Sequence, residues 1–351
     1  AIHDGKIYAI GGQGLNTTEI FDPQTGQWST GPNLPSEVNH ASAITAGGKI
    51  LLIGGRNASD QNVNQVLELD PATNEWTPKT PMPTARGTEV VALDGKIWAI
   101  GGSPNAGGSS SMTATVEIYD TATDSWSTGP SLNSSRRGPS AWAANGTIYV
   151  AGGQKSGGTK LNLVEAYDPL TNQWVAAASL PESKHGADAI ILGGKVYVVA
   201  GQSDSGFSAK VFAADLPAPA MDLYFRDGNA TAEAATAPGL DGNLSITLNM
   251  LAPDALAKLD VNQTHAQSAG SVIAVPKDAA PPDGYSLYKR SDRTDTLVWE
   301  EKAPVSVARF AYDGVEALDG KIYFAGGGNS SGGINVVERF DPSTNQWETL
   351  T

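Results

Sequence analysis

The 351-residue chain contains no cysteine. That removes disulfides, thiolate metal sites and cysteine nucleophiles. Histidine is nearly as scarce. His3, His40, His185 and His265 are the only four, and they stand in no H-x-x-x-H or similar metal spacing. Charged residues make up only 17%, and the balance is acidic, with a net charge of −14. Nucleic acids and anionic membranes select clustered Lys and Arg, so neither is an expected partner. No apolar run reaches the ~18 residues that a membrane-spanning helix needs. There is no G-x-S-x-G, no D-x-D-x-D-G calcium loop and no nucleophile–base pair in the sequence. No metal site and no cofactor are implied, although a structural calcium on carbonyl-rich loops stays open. An enzyme would need a constellation scattered along the chain, and the reading leans away from one.

Glycine (40 residues) and proline (21 residues) are what the chain has in plenty. That composition suits many short strands joined by many turns. The strands repeat. Trp28, Trp76, Trp126 and Trp174 are 48, 50 and 48 residues apart, and Trp299 and Trp347 are again 48 apart. The step from Trp174 to Trp299 is 125 residues, so the fifth unit carries roughly 77 extra.

Each unit opens with a two-residue turn: Asp4-Gly5, Gly47-Gly48, Asp94-Gly95, Asn145-Gly146, Gly193-Gly194 and Asp319-Gly320. Asn, Asp and Gly tolerate the positive φ angles that tight hairpins require. A β-branched and aromatic run follows, such as KIWAI at 96–100. Its continuous apolar character predicts a strand buried on both faces. A glycine pair ends the run at Gly11-Gly12, Gly54-Gly55, Gly101-Gly102, Gly152-Gly153 and Gly326-Gly327, with Ala200-Gly201 in the fifth unit. After a polar loop comes a third strand of the VEIYD type, and in five units its Asp precedes the Trp by six residues. The spacer is usually Pro-x-Thr-Asn/Gly-x, a turn sequence. Four short antiparallel strands, six times over, predict a β-propeller whose blades bury their faces against one another. Tryptophan is suited to the wedges between blades.

The glycine pair, the E-x-[YF]-D strand and the spaced Trp, on a period near 48, resemble the kelch repeat family over residues 1–216 and 297–351. The resemblance implies an all-β, six-bladed propeller: blades 1–5 in 1–216, then the end of blade 5 and blade 6 in 297–351. Two departures stand out. Only Ala1-Ile2-His3 precede the first turn, where other units have eight or more residues, and the chain stops at Thr351 after a fourth strand. Kelch rings close by borrowing a strand from the opposite terminus, so a trimmed or partly ordered form of a longer protein is expected. The other departure is the insertion, 217–296. Pro253 fits the first turn of a short helix over 254–259. SVIAVP and YSLYKR read as two strands around the turn PPDG, a hairpin. This run resembles the collar motif of phage tail fibres, and the insertion could be an arm for oligomerisation or attachment. Either VFAAD (211–215) or YSLYKR (285–290) completes blade 5.

Two loop sets build the ligand face of kelch propellers. Those between strands two and three are small, polar and glycine-rich here, fit to offer backbone amides and hydroxyls or simply to fill turns. The other set opens each inner strand. Counting back nine residues from the end of each hairpin turn gives Asn39, Arg86, Arg137 and His185, with His40 beside them; blade 6 offers Arg309 two residues further back. These six are expected to ring the channel mouth, where kelch domains of ubiquitin-ligase adaptors bind acidic peptides and sialate mutarotases handle a sugar carboxylate. Cations at one mouth of an acidic protein would select an anionic or hydroxyl-rich ligand, unless each pairs with a protein acid. The glutamates Glu19, Glu68, Glu117, Glu165 and Glu338 recur in every intact third strand and read as structural. Copper radical oxidases of this fold need a tyrosine–cysteine crosslink, which this chain cannot make, and the clustered iron motif of plant specifier proteins is absent.

The expected function is therefore a non-catalytic binding module, exported by a bacterium to the cell surface or beyond, holding a glycan or protein partner on its loop face. The alternatives are a sialate mutarotase-like epimerase and a structural spacer in a larger surface or fibre protein. Eight Asn-x-Ser/Thr triplets occur, a number that loop composition accounts for.

Overall fold

The backbone of the six unit-opening turns follows from their residues. The first position has φ between 46° and 58° and the second, always glycine, between 71° and 76°. Both are left-handed, the geometry of a hairpin turn that matches strand twist. The later Asp-to-Trp turn likewise puts a left-handed residue before the fourth strand: Gly26, Asn74, Asp124, Asn172 and Asn345. The preceding aspartates cap it, for example Asp70 Oδ1 accepting from the Ala72 amide at 2.9 Å.

The computed structural model describes residues 1–104, 111–169, 171–217, 297–311 and 314–350, and the backbone of four strands between 221 and 290. The chain forms two compact units, Ala1–Asp215 with Leu297–Thr351, and Leu216–Thr296. The first is the propeller. Its six four-stranded antiparallel sheets are blades 1 to 6, over residues 2–30, 42–78, 87–128, 140–177, 188–302 and 315–350. Blade 3 is typical: Gly87–Leu93, Lys96–Ser103, Val116–Asp120 and Ser125–Thr128, from the channel outward. Blade 1 opens with a two-residue strand, Ile2–His3, paired with Ile7 and Lys6. In blade 5, Val211–Asp215 is the third strand and Glu300–Lys302 the fourth, which settles the choice that the sequence left open.

The second unit is a four-stranded antiparallel sheet in the order Ile246–Thr247, Val272–Pro276, Met221–Arg226, Tyr285–Arg290. The two runs read as a hairpin are both strands, but each pairs with Met221–Arg226 and not with the other. The helix read at 254–259 lies outside the described residues. Among the described residues no helix is long and apolar enough to cross a membrane.

The propeller core lies between blades. Leu51, Ile53 and Met82 of blade 2 and its outgoing link pack on Ile97, Ala99 and Tyr119 of blade 3. Trp98 and Ile100 then pack on Ile148, Val150 and Tyr167 of blade 4. Ile7 and Phe21 of blade 1 meet Tyr323 and Val337 of blade 6, which closes the ring by side-chain packing. The second strands are the most buried, with Ile50–Ile53 at 0–1% exposure.

The repeated tryptophans tie neighbouring blades. The indole N–H donates to a carbonyl of the preceding blade's outgoing link from Trp76 (Pro32, 3.0 Å), Trp126 (Thr80, 2.9 Å), Trp174 (Pro130, 2.8 Å), Trp299 (Ala178, 3.0 Å) and Trp347 (Ala303, 2.9 Å). Trp28 is 41% exposed and, among the described residues, its ring packs on Phe21 of its own blade.

The glycine pairs do a related job. The second glycine's N–H donates to the carbonyl of the residue that opens the next blade: Gly12 to Val38, Gly55 to Arg86, Gly102 to Arg136, Gly153 to Lys184 and Gly201 to Arg309. A Cβ on Gly102 would lie 2.1 Å from the Gly87 carbonyl, which is why a side chain does not fit there.

Candidate functional site

The links that open the inner strands place consecutive residues in different layers. The first member of each pair, Val38, Arg86, Arg136, Lys184 or Arg309, is buried between blades. Arg86 meets Glu117, Arg136 meets Glu165, and Arg309 Nη1 lies 2.7 Å from Glu338, every one of these side chains at most 5% exposed. Arg136 also donates to the Gly152 and Leu163 carbonyls, and Arg86 to those of Gly101 and Ala99. Desolvation pulls the pKa of Arg136 and Arg309 down, and the glutamates oppose that. A buried charge needs such a partner, because an unpaired one costs several kcal/mol, about 3–5. Blade 5 breaks the pattern and repairs it. Phe212 replaces the third-strand glutamate, Lys184 replaces the arginine, and Lys184 Nζ takes Glu182 at 2.8 Å while lying 5.2 Å from the Phe212 ring centre.

The next residue, Asn39, Gly87, Arg137, His185 or Phe310, pairs its backbone with the residue that follows its blade's glycine pair: Arg56, Ser103, Gln154, Gln202 or Gly328. These two sets approach around the mouth of the channel. They enclose a cavity of about 350 Å³. Its walls include His40, Arg56, Arg137, Gln154, His185, Gln202 and Phe310, with Glu89 as the carboxylate among them. Arg137 is held by Gln154, whose Oε1 accepts from Nε at 3.0 Å and from Nη2 at 2.7 Å, and Gln154 Nε2 is anchored on the Gly158 carbonyl at 2.8 Å. Arg56 Nη1 lies 3.1 Å from exposed Asp60. His185 packs edge-on to Phe310. Burial, reinforced by Arg137, Lys160 and His40, lowers its pKa to about 3, so it is neutral at physiological pH. His40 is also lowered, by desolvation in the concave wall and then by Arg56 and Arg137, while Asp60 pulls the other way.

Further along the same inner strands is a second cavity of about 340 Å³, whose walls include the side chains of Glu89, Asp188 and Glu316. Asp188 accepts the Ala189 amide at 2.7 Å and the Val315 amide at 2.9 Å, joining blades 5 and 6. The channel is thus cationic at its mouth and acidic beyond it. Among the described residues no three His, Asp or Glu side chains gather closely enough to hold a metal ion.

Residues 1–201 match the family model for the KLHDC2/KLHL20/DRC7 Kelch-repeats domain, and residues 312–351 match the Kelch motif. The chain belongs to the kelch repeat family. Among its curated relatives, Kelch-like protein 35 of Mus musculus is 27% identical over 165 residues, covering 46% of this chain and 27% of that protein. Kelch-like protein terF of Aspergillus terreus is 29% identical over 164 residues, covering 44% and 35%. Alpha-scruin of Limulus polyphemus is 27% identical over 168 residues, covering 44% and 18%. The kelch propeller thus spans about a third or less of the length of these relatives. The solved structure of YjhT superposes with a TM-score of 0.54 at 16% identity, over 62% of this chain and 80% of that one, a likeness of fold.

Of the six residues expected at the mouth of the kelch ring, His40, Arg137 and His185 line the cavity. Asn39 is half-buried, and its backbone pairs with Arg56 behind the rim. Arg86 and Arg309 are corrections: both are fully buried in the ion pairs between strands. A fixed count failed because the links differ in length. Blade 3's link is one residue shorter than those of blades 2, 4 and 5, so nine back from Gly95 lands on the buried layer. Sequence reasoning missed Arg56, Gln154 and Gln202. Their signal was present: each directly follows a glycine pair, or Ala200-Gly201, the one point where the second strand turns toward the mouth.

Proposed function

We propose that this kelch propeller is a non-catalytic binding module that holds carboxylate groups of a protein partner at the mouth of its channel. The observation that carries the reading is the cavity of about 350 Å³ in which Arg56 and Arg137 face a common space on a protein of net charge −14. Guanidinium groups concentrated in a concave site raise the local concentration of anions and bind them by paired hydrogen bonds. Gln154 grips one side of Arg137 through a neutral amide, and among the described residues no carboxylate forms an ion pair with it. Around the cavity, the loops between strands two and three of blades 5 and 6 are small hairpins, Gln202–Ser203 with Gly206–Phe207 and Gly328–Asn329 with Gly332–Gly333. They offer a partner a rim of backbone-paired turns. Membership of the kelch family supports a protein partner. The other arginines in the links are neutralised by buried glutamates, which favours binding over catalysis.

The test is thermal shift with capped acidic peptides, uronic and sialic acids, and neutral sugars. A ligand at 100 times its dissociation constant adds about 2.7 kcal/mol to stability. A rise in melting temperature with acidic peptides that Arg137→Ala and Arg56→Ala abolish supports the reading. A rise with acidic sugars alone moves the ligand to a glycan. No rise with any carboxylate ligand sinks it.

A further inference from the structure

The links into blades 2, 4 and 5 share a backbone feature. Eight residues before the second turn glycine (Gly48, Gly146 and Gly194) the chain is left-handed, with φ of 53° at His40, 51° at Gly138 and 60° at Gly186. In each case this residue follows the one whose backbone bridges across the rim: Asn39 to Arg56, Arg137 to Gln154 and His185 to Gln202. The three positions are therefore structurally equivalent. Blades 4 and 5 use glycine, for which the left-handed region carries no steric penalty. Blade 2 uses histidine, whose Cβ crowds the following carbonyl there. The turn does not need an imidazole, since glycine makes the same turn twice in the same ring. Strain that a turn does not require collects at working sites. His40 is exposed and lines the mouth cavity beside Arg56 and Arg137.

We propose that His40 is a ligand-contacting residue, held in its left-handed conformation so that its imidazole joins Arg56 and Arg137 on a partner carboxylate. The inference rests on the reading of the mouth as a carboxylate site, and it adds a proton to the binding. The groups around His40 are Arg56 and Asp60 on blade 2, Arg137 on blade 4 and His185 on blade 5, with Lys160 behind His185 and Glu89 in the same wall. In the free protein, desolvation and the two guanidinium groups disfavour the imidazolium. A bound carboxylate offsets those cations and favours it. His40 then takes up a proton on binding, and affinity rises as pH falls. His185 contributes nothing to this, because it stays neutral down to about pH 3.

The experiment uses the whole chain and isothermal titration with N-acetylated, C-amidated tetraglutamate, with tetraglutamine as the control. Titrations at pH 7.5 and 5.5, in buffers of different ionisation enthalpy, count the protons taken up. The wild type is expected to bind roughly three- to tenfold tighter at the lower pH, within the tenfold that one unit of pKa change allows. His40→Gly is expected to lose that gain and the associated proton uptake while its melting temperature rises by roughly 1–4 °C. Proton exchange by the peptide itself is common to both proteins and cancels. His185→Gln is expected to keep the wild-type pH response. Two results overturn the proposal: His40→Gly with unchanged affinity and proton uptake, or His40→Gly with a lowered melting temperature. If His40→Gly binds as wild type while Arg137→Ala does not bind, only the role of His40 falls. If the wild type does not bind tetraglutamate, the carboxylate reading falls with it.

Discussion

Arg136 and Arg137 are neighbours in the sequence and belong to different regions of the molecule. Arg136 is fully buried between strands, against Glu165 and two backbone carbonyls. Arg137 lines the mouth cavity and leans on a neutral glutamine. The same contrast runs round the ring. In blades 3, 4 and 6 the buried layer keeps one chemistry, a cation with an acid; blade 5 restores it with different residues when the acid is lost, and blade 2 replaces it with the apolar contact of Val38 and Leu67. The mouth layer varies freely: Asn39, Gly87, Arg137, His185 and Phe310 occupy equivalent places. One layer is constrained by the cost of an unpaired buried charge, and the other only by what it meets outside.

The largest expected effect tests that division directly. Arg136→Ala leaves Glu165 buried and unpaired, and should cost about 3–5 kcal/mol in urea unfolding. Replacing the pair together, Arg136→Met with Glu165→Leu, should recover most of the loss. Arg137→Ala should stay within about 0.5 kcal/mol of wild type and lose the binding of acidic peptides. Equal destabilisation by Arg136→Ala and Arg137→Ala would erase the distinction between the layers.

Next in size are the glycines that join the layers. Gly102→Ala sets a Cβ 2.1 Å from the Gly87 carbonyl at φ 108°, whereas Gly47→Ala meets open space at φ 57°. Losses of about 3 kcal/mol or more and about 1 kcal/mol are expected, in that order. Similar losses at both sites would mean that backbone conformation, not the close approach of adjacent strands within the blade, decides.

A smaller effect separates the outer edges. Trp126→Phe deletes the N–H bond to Thr80 and should cost about 1 kcal/mol. Trp28→Phe deletes no such bond, so its loss in the same assay should be smaller.

The effect that is smallest at neutral pH, and grows only toward acid, is at His185, a buried residue of the mouth. His185 has a pKa lowered to about 3 in the folded chain, against about 6.5 unfolded. Between these values the unfolded state binds a proton that the folded state does not. His185 therefore adds stability above about pH 6.5 that is lost as pH falls toward 3. His185→Asn should flatten the decline in urea midpoint between pH 7 and 4. Carboxylates such as Asp341, held below the usual range by Lys321 and Ser343, act lower on the scale and should leave that limb untouched.

Much of the propeller was legible because its signals are local. A left-handed turn asks for Asp, Asn or Gly wherever it occurs, and a doubly buried strand must be apolar throughout. Hence the six turns, the six second strands and the spacing of Trp28, Trp76, Trp126, Trp174, Trp299 and Trp347 could all be read directly. The candidate site was half legible. His40, Arg137 and His185 could be reached by counting, but Arg86 and Arg309 could not be told from them. A missing residue in a link changes no local pattern, yet it moves the chain by one position between a buried layer and an open one. The second unit was harder still. SVIAVP and YSLYKR have strand character, but their true neighbour, Met221–Arg226, lies about 50 to 65 residues upstream.

By itself, then, the sequence determined the repeat, the number of blades, the turns and the alternation of strands, since these depend on residues near one another in the chain. Only the tertiary structure decided which cation is locked to a glutamate and which faces the channel, that Arg56 and Arg137 line one cavity, and that His40 stands where its sister blades keep glycine. Those facts depend on contacts between residues some 30 to 80 positions apart, from the Arg136–Glu165 pair to the shared cavity walls of Arg56 and Arg137. Burial and charge pairing are settled there, by what each side chain meets when the ring closes.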